Sequence, residues 1–290
     1  MILIIGGTGN VGKHVLPLLQ ETKLPIRLGC YDVDETKSKV DDASIDYVDF
    51  DFYKPETYPK ALEDITSVFF IRPPQIGNPK DIYPFIDLLK EQQIEHTIFL
   101  SLMGVEKNPI PPHGKIEKYI KKLHLPYTFI RPGFFMENLV YPHGKDIRDL
   151  DQLIVPAGKS RTNFIAAKDI GEVIARCLVE KEPHINKAYT LTGDYAYNYY
   201  EVADLLSNVL NRQINYTKPG LLQYRKHMIK QGFDKAYINV TVFLYIMTRL
   251  GTAKDQTNTV KTILNRKPTS LKDFIEHHKK NFIKEPSPSR

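Results

Sequence analysis

The chemistry this sequence offers begins at Gly6-Gly7-Thr8-Gly9-Asn10-Val11-Gly12. An apolar run, Ile2-Leu3-Ile4-Ile5, precedes it, and Val11, Val15, Leu16, Leu18 and Leu19 follow at helical spacing. Strand, glycine loop and helix in that order make a pyrophosphate site. The turn is sharp, the phosphate approaches bare backbone, and the helix packs close to the strand. Each demand favours a residue without a Cβ. The N–H groups and positive dipole end of the helix then face the anion. Two registers fit, Gly7-Gly9-Gly12 and Gly6-Gly9-Gly12. Twenty residues beyond Gly12, Asp32 closes a second apolar run that starts at Ile26. An acid there binds adenosine ribose hydroxyls and repels a 2′-phosphate, which favours NAD over NADP. Asp32-Val33-Asp34-Glu35 reads equally as a turn with Asp32 as its polar residue. Arg27 and Lys37 stand near enough in sequence to serve a phosphate.

The elements that must position these residues alternate. A strand at Ile45–Asp49 leads into Phe50, Asp51 and Phe52, and a helix is expected over 55–62. Ser67–Ile71 is a continuous apolar run bounded by Arg72-Pro73-Pro74, as suits a strand buried on both faces. A helix over 83–90, a strand over 97–100 ending at Ser101, a helix over 116–123 and a strand over 127–130 follow, stopped by Arg131-Pro132-Gly133. This alternation predicts an α/β fold, a doubly wound parallel sheet flanked by helices. Right-handed crossovers put the strand ends on one edge, so the glycine loop, Asp32, Asp51, Arg72 and Ser101 line one crevice. Pro17 falls inside the first helical pattern, where a kink is expected. Past Asn138 the rhythm loosens into helices over 168–179, 199–210, 221–230, 237–250 and 270–282, with a strand over 188–193. The expected division is 1–150 for the sheet domain and 151–290 for a small, mostly helical domain, with about 160–180 returning to the first.

At 290 residues and 42% hydrophobic content the chain can bury a sizeable core. Two cysteines, Cys30 and Cys177, make no disulfide framework and suit a reducing cytoplasm. A strand starting at Ile2 leaves no room for a signal peptide. The net charge of +6 comes from scattered lysines without a basic arm, so no nucleic acid is expected. Tyr237 to Leu250 is too short to span a bilayer and reads as a buried helix; the tail 284–290 reads as a frayed end.

Several further stretches carry a resemblance. They are Phe50-Asp51, Leu100-Ser101, His113 with Glu117, Leu125-Pro126-Tyr127-Thr128, the run from Arg131 to Asn138, Asn163-Phe164-Ile165 before Lys168-Asp169-Ile170-Gly171, and Ser270-Leu271 to Phe282. With the glycine loop they resemble the NmrA-like, atypical branch of the short-chain dehydrogenase/reductase superfamily, over nearly the whole chain. The resemblance implies a Rossmann domain with a small C-terminal substrate domain over the crevice. Members reduce quinones or other small acceptors with NAD(P)H, others are nicotinamide-nucleotide sensors, and related sheets carry nucleotide-sugar epimerases. It also implies Asp51 and Phe52 beside the adenine. Ile71, Arg72, Pro73, Pro132, Gly133 and Phe134 would flank the nicotinamide ribose and ring.

Most dehydrogenases of that superfamily use a Ser with a Tyr-x-x-x-Lys pair on the helix after the fifth strand. Here that helix offers His113-Gly114-Lys115-Ile116-Glu117. The match Tyr141-Pro142-His143-Gly144-Lys145 falls after the sixth strand and reads as chance. His113 is therefore the candidate acid/base, able to titrate near neutral pH. Glu117, four residues on, shares its helical face and would orient the imidazole. Ser101 would bond a substrate carbonyl. The plainer readings are a capping or surface histidine and a strand-end serine satisfying backbone. A metal lacks a third ligand. Phe134, Phe135, Met136, Asn138, Tyr141, Phe243 and Tyr245 either wall a flat substrate pocket or belong to the core. The expected protein is an NAD(P)-dependent oxidoreductase, monomer or homodimer, for a small quinone-like substrate. The alternative is a non-catalytic sensor that docks on a protein. An epimerase is disfavoured by the missing Tyr/Lys pair.

Overall fold

The computed structural model describes residues 1–284 and divides the chain into two units. Unit 1 comprises Met1–Pro132, Ala167–Leu191 and Thr259–Arg266. Its strands are β1 (Ile2–Ile5), β2 (Ile26–Cys30), β3 (Ile45–Asp49), β4 (Ser67–Ile71), β5 (His96–Leu100) and β6 (Tyr127–Pro132), joined by Lys187–Leu191. They form one seven-stranded sheet in the order Lys187–Leu191, β6, β5, β4, β1, β2, β3. Every neighbouring pair is parallel. The central strands are enclosed on both faces: Leu3, Ile4, Val68, Phe69, Phe70, Ile98 and Phe99 are fully buried. That is why they read as unbroken apolar runs rather than alternating ones.

The helices of unit 1 include α1 (Gly12–Gln20), α2 (Val33–Val40), α3 (Tyr58–Leu62), α4 (Tyr83–Glu91) and α5 (Pro112–Lys122). In α1 the buried residues Gly12, Val15, Leu16 and Leu19 form one stripe, and the helix runs on past the exposed Pro17 to Gln20. The rings of Phe50, Phe52, Tyr58 and Phe85 pack mainly edge to face, with centroids 4.9–5.5 Å apart. Helix α5 starts earlier than its apolar pattern showed, because Pro112 at its first turn already has helical φ and needs no N–H partner. Gly114 admits the preceding loop there: a Cβ would lie 2.7 Å from Pro109 Cα.

The first unit ends at Pro132, not near residue 150, because the chain leaves the sheet at the end of β6. The returning stretch is Ala167–Leu191, and a second, Thr259–Arg266, was not foreseen. Both return for stated reasons. Helix Ala167–Val179 lies so close to α1 that a Cβ on Gly171 would sit 2.6 Å from His14 Cβ. Arg266 pairs with the fully buried Asp169 of that helix at 2.7 Å.

Unit 2 comprises Gly133–Ala166, Thr192–Asn258 and, among the described residues, 267–284. Its helices include Gly144–Leu150, Tyr199–Leu210, Leu221–Lys230, Lys235–Arg249 and Leu271–His277. Asn198 caps Tyr199–Leu210 reciprocally with Glu201, and the Ser270 hydroxyl accepts from Asp273 N at 3.1 Å. Phe134–Phe135, Arg161–Ile165 and Ala196–Asn198 form a small sheet, and Gln152–Ile154 pairs with Asn215–Thr217. Helix Lys235–Arg249 is amphipathic rather than buried: Ile238, Tyr245 and Thr248 face inward while Val240, Phe243 and Ile246 are exposed. Among the described residues no helix is long and apolar enough to cross a membrane. Residues 285–290 of the expected frayed tail lie outside the described residues.

Candidate functional site

The glycines of the first loop have separable tasks. Gly6 sits at φ +91°, a left-handed conformation that favours glycine. A Cβ on Gly7 would lie 2.4 Å from Leu28 Cδ1, and one on Gly12 would lie 2.2 Å from Gly6 O. These two let α1 press against the sheet and the loop. Gly9 would meet only Gly6 O, at 3.3 Å, and Thr8, Gly9 and Asn10 are exposed. Val11 is the N-cap of α1, buried and unable to cap with its side chain, and the first turn holds no acid. Lys13 N and His14 N donate to the backbone carbonyls of Gly9 and Val11, at 3.1 and 2.9 Å, but no side chain caps the helix and no acid offsets its dipole end. Both features fit the phosphates of a dinucleotide.

Because the sheet is all parallel, the ends of β2, β3, β4, β5 and β6 reach the same edge as this loop. Asp32, Asp51, Arg72, Ser101 and Pro132 stand there. Asp32 is exposed and is the N-cap of α2, its Oδ1 accepting from Glu35 N at 2.8 Å. The turn reading thus becomes a helix cap. Asp51 Oδ1 accepts from Tyr53 N at 2.9 Å. Phe52 is buried in the aromatic cluster and its carbonyl accepts from Tyr58 OH at 2.7 Å, so its side chain is core. Arg27 does not serve a phosphate. It is buried within β2, donating to Asp46 Oδ2 at 2.6 Å and to the carbonyls of Lys60 and Glu63 behind α3. Lys37 lies 5.7 Å over the Tyr47 ring. Ile71 packs beside Gly6, and Pro73 is partly exposed.

The expected pairing of His113 with Glu117 does not occur. Glu117 is buried, and its Oε1 accepts from Ser101 Oγ at 2.5 Å. Arg131 from β6 takes both carboxylate oxygens, Nε at 2.9 Å and Nη2 at 2.5 Å, and its Nη1 lies 3.5 Å from Glu106. A bidentate guanidinium outcompetes a neutral imidazole for a buried carboxylate. Ser101, Glu117 and Arg131 thus clamp β5, α5 and β6 together, and the Ser101 hydroxyl is already committed.

His113 stands in the first turn of α5 with its ring 6.0 Å from the Phe99 ring. Part of the residue reaches the surface, but Nδ1 is enclosed without a partner, and the structure gives Nε2 no hydrogen bond either. Burial, and next the Arg72 guanidinium, push its pKa down to about 3. At neutral pH the ring is uncharged, so it does not titrate near pH 7. A neutral imidazole still donates one N–H. Its proton belongs on Nε2, since an enclosed N–H would forfeit a hydrogen bond to water, and the nearby cation favours a lone pair within.

Unit 2 distributes the proposed pocket residues unequally. Met136 and Tyr245 are buried core, and Tyr245 OH is 2.8 Å from His143 Nε2. Phe134, Phe135 and Asn138 are partly exposed, while Phe243 and Tyr141 are exposed. Helix Gly144–Leu150 begins between Tyr141 and Lys145, so those two do not share a helical face. The buried His143–Tyr245 pair went unforeseen, being 102 residues apart. Among the described residues no group of three or more His, Cys, Asp or Glu is placed to hold a metal.

A parallel seven-stranded sheet with a glycine loop and an uncapped helix at its ligand-binding edge defines a doubly wound, dinucleotide-binding class of protein. The family model of the NmrA-like family matches residues 1–275, and the chain belongs to that family. It is 29% identical over 280 residues to prestalk A differentiation protein A of Dictyostelium discoideum, covering 95% of this chain and 91% of that protein. It is 28% identical over 288 residues to the NAD(P)H azoreductase of Xenophilus azovorans, covering 97% and 99%. In fold it is similar to an NADPH-dependent quinone oxidoreductase of Escherichia coli, with a TM-score of 0.87, 20% identity, and coverage of 96% of this chain and 99% of that one.

Proposed function

We propose that the protein is an NAD(P)-dependent oxidoreductase that reduces a small, quinone-like acceptor. The observation that carries this reading is the uncapped, acid-free start of α1 behind the glycine loop, on the edge where the other strand ends gather. Relatives over nearly the full chain include an NAD(P)H azoreductase, which supports a reductase. A reduced nicotinamide supplies a hydride when bound. The free N–H groups of Thr8, Asn10, Val11 and Gly12 would hold the pyrophosphate, while Gly9 N already donates to Gly6 O at 3.1 Å. Asp32 would hold the adenosine ribose. Its exposed carboxylate repels a 2′-phosphate, which supports NAD over NADP. Asp51 would sit beside the adenine, and backbone at Ile71, Arg72, Pro73 and Pro132 would flank the nicotinamide ribose and ring. His113 acts as a neutral hydrogen-bond donor. Ser101 and Glu117 act as positioning residues, because their polar atoms already serve the Arg131 clamp. The buried free thiols of Cys30 and Cys177 fit a reducing, cytoplasmic setting.

Fluorescence titration with NADH and NADPH, followed by steady-state oxidation against a quinone panel, tests this. Saturable binding with quinone turnover is expected. Tight binding without turnover on any acceptor would establish the sensor reading instead. That reading draws on the observation that α5 offers no Tyr/Lys pair at its start, only an uncharged histidine.

A further inference from the structure

Arg72 differs from the other arginines of unit 1 that are wholly or partly buried. Arg27, Arg131 and Arg266 each face a carboxylate within 2.7 Å. Arg72 faces none among the described residues. Its Nη1 donates to the carbonyls of Pro73, at 3.1 Å, and Ile76, so the turn after β4 wraps one side of the guanidinium. Among the described residues its Nε is enclosed without a partner, and Nη2 makes no hydrogen bond. A guanidinium taken partly out of water without a counter-ion is costly and is suited to a ligand that brings negative charge.

His113 stands one strand away. β4 and β5 are neighbours, with Ile71 opposite Leu100. The rings of Phe70, Phe99 and His113 stack in series, 4.9 Å and then 6.0 Å between centroids. The imidazole therefore rests over the strand end beside Arg72, and its Nε2 is open and without a partner. Both side chains can offer N–H groups, and among the described residues no carboxylate pairs with either.

We propose that Arg72 and His113 form a donor-only site for an acceptor oxygen that becomes anionic, and that Arg72 selects neutral quinone-type acceptors over cationic ones. The inference rests on the reductase reading above. A neutral quinone that takes a hydride, one proton with two electrons, from reduced nicotinamide becomes a hydroquinone monoanion, and one solvent proton completes the diol. The negative oxygen is what the two donors stabilise. A cationic acceptor becomes neutral on the same transfer, so a fixed guanidinium opposes its binding and gains nothing in its transition state. The same guanidinium helps hold His113 uncharged, which keeps the second donor from becoming a competing acid.

The test compares the parent with Arg72→Gln on menadione and on the cationic dye malachite green, with NADH as reductant. It is joined by absorbance titration of 4-nitrophenol with the protein alone. The expected result is about a 100-fold fall in kcat/KM for menadione. The dye should lose less than menadione or gain, with both rates taken at saturating NADH so that any change in cofactor affinity drops out. Bound 4-nitrophenol should ionise about 1–3 pH units below its free value on the parent, and should lose that shift in Arg72→Gln. Equal losses on both acceptors would overturn the inference, as would a nitrophenol shift that survives the substitution. If Arg72→Gln does not fold, the parent decides, because absence of a nitrophenol shift there is also a refutation. If the parent lowers the phenol pKa yet reduces neither acceptor, the donor site stands and the reductase reading falls.

Discussion

His96 makes the pH dependence of stability quantitative. It opens β5, is fully buried, and its Nε2 lies 2.7 Å from Thr128 Oγ1. The Thr128 hydroxyl donates its one proton to His184 O at 2.7 Å, so His96 must be the donor in the first bond, protonated on Nε2. That leaves Nδ1 as an enclosed lone pair with no partner. A second proton would have to go there, with no acceptor for it. Burial first, then the nearby His184 and Lys181, push the pKa down to about 4 from 6.5. The unfolded chain takes up its proton near pH 6.5 and the folded chain only near 4. Stability is therefore full above pH 6.5 and is lost as the pH falls toward 4. The loss from this group is about 2 kcal/mol at pH 5 and about 3 kcal/mol below pH 4. Urea unfolding at pH 7.5 and pH 5, parent against His96→Gln, isolates it, because Gln keeps a donor toward Thr128 but cannot titrate. The variant should be less stable at pH 7.5, and its pH 7.5 to pH 5 loss should be smaller than the parent's by about 2 kcal/mol. Parallel pH dependences in the two proteins would refute the assignment of His96 as an uncharged buried base.

The remaining predictions concern the loop, the clamp and the ribose acid. Gly12→Ala should lower stability by about 1–3 kcal/mol in urea unfolding and abolish NADH binding, because its Cβ meets Gly6 O at 2.2 Å. Gly9→Ala, with only a 3.3 Å contact, should weaken NADH binding in the same titration while leaving the unfolding midpoint nearly unchanged. Glu117→Gln should cost about 3 kcal/mol, because the buried Arg131 guanidinium loses its bidentate carboxylate and keeps only Glu106 at 3.5 Å. The double change Glu117→Leu with Arg131→Met should recover most of that, and a double-mutant cycle measures the coupling. Asp32→Asn keeps an N-cap oxygen for α2 but removes the charge, so NADPH affinity should rise relative to NADH. Tighter NADPH than NADH binding by the parent would refute the ribose role.

The sheet was legible because its physics is local. Each strand buried on both faces appears as a continuous apolar run, and helix α1 shows its stripe at 3.6-residue spacing. Helices Tyr199–Leu210 and Leu221–Lys230 were visible for the same reason. The three-residue strands Gln152–Ile154, Ala196–Asn198 and Asn215–Thr217 were not, since three residues carry no usable period. The boundary at Pro132 is not legible in the sequence, because nothing in composition changes where β6 leaves the sheet. Arg27 reads as a candidate phosphate ligand because a cation in a strand carries no sign of its partners. Only the fold shows the helix-end carbonyls of Lys60 and Glu63 converging on it.

The glycine loop could be recognised because backbone chemistry depends on which residues lack a Cβ, and that is written in the chain. Side-chain chemistry depends on partners, and those come from elsewhere. Spacing pairs Glu117 with His113 on one helix. The folded chain gives it to Ser101 and Arg131, 16 and 14 residues away on other elements. The consequence reverses the expected division of labour. A histidine read as a titrating acid with its own carboxylate becomes an uncharged donor with none, beside an arginine that has none either. With no carboxylate paired to either side chain among the described residues, the negative charge they are suited to hold must develop on a bound ligand. That leaves an acceptor whose oxygen gains charge during reduction as the chemistry the two side chains fit, and it makes Arg72, rather than Glu117, the residue whose removal should change what the protein reduces.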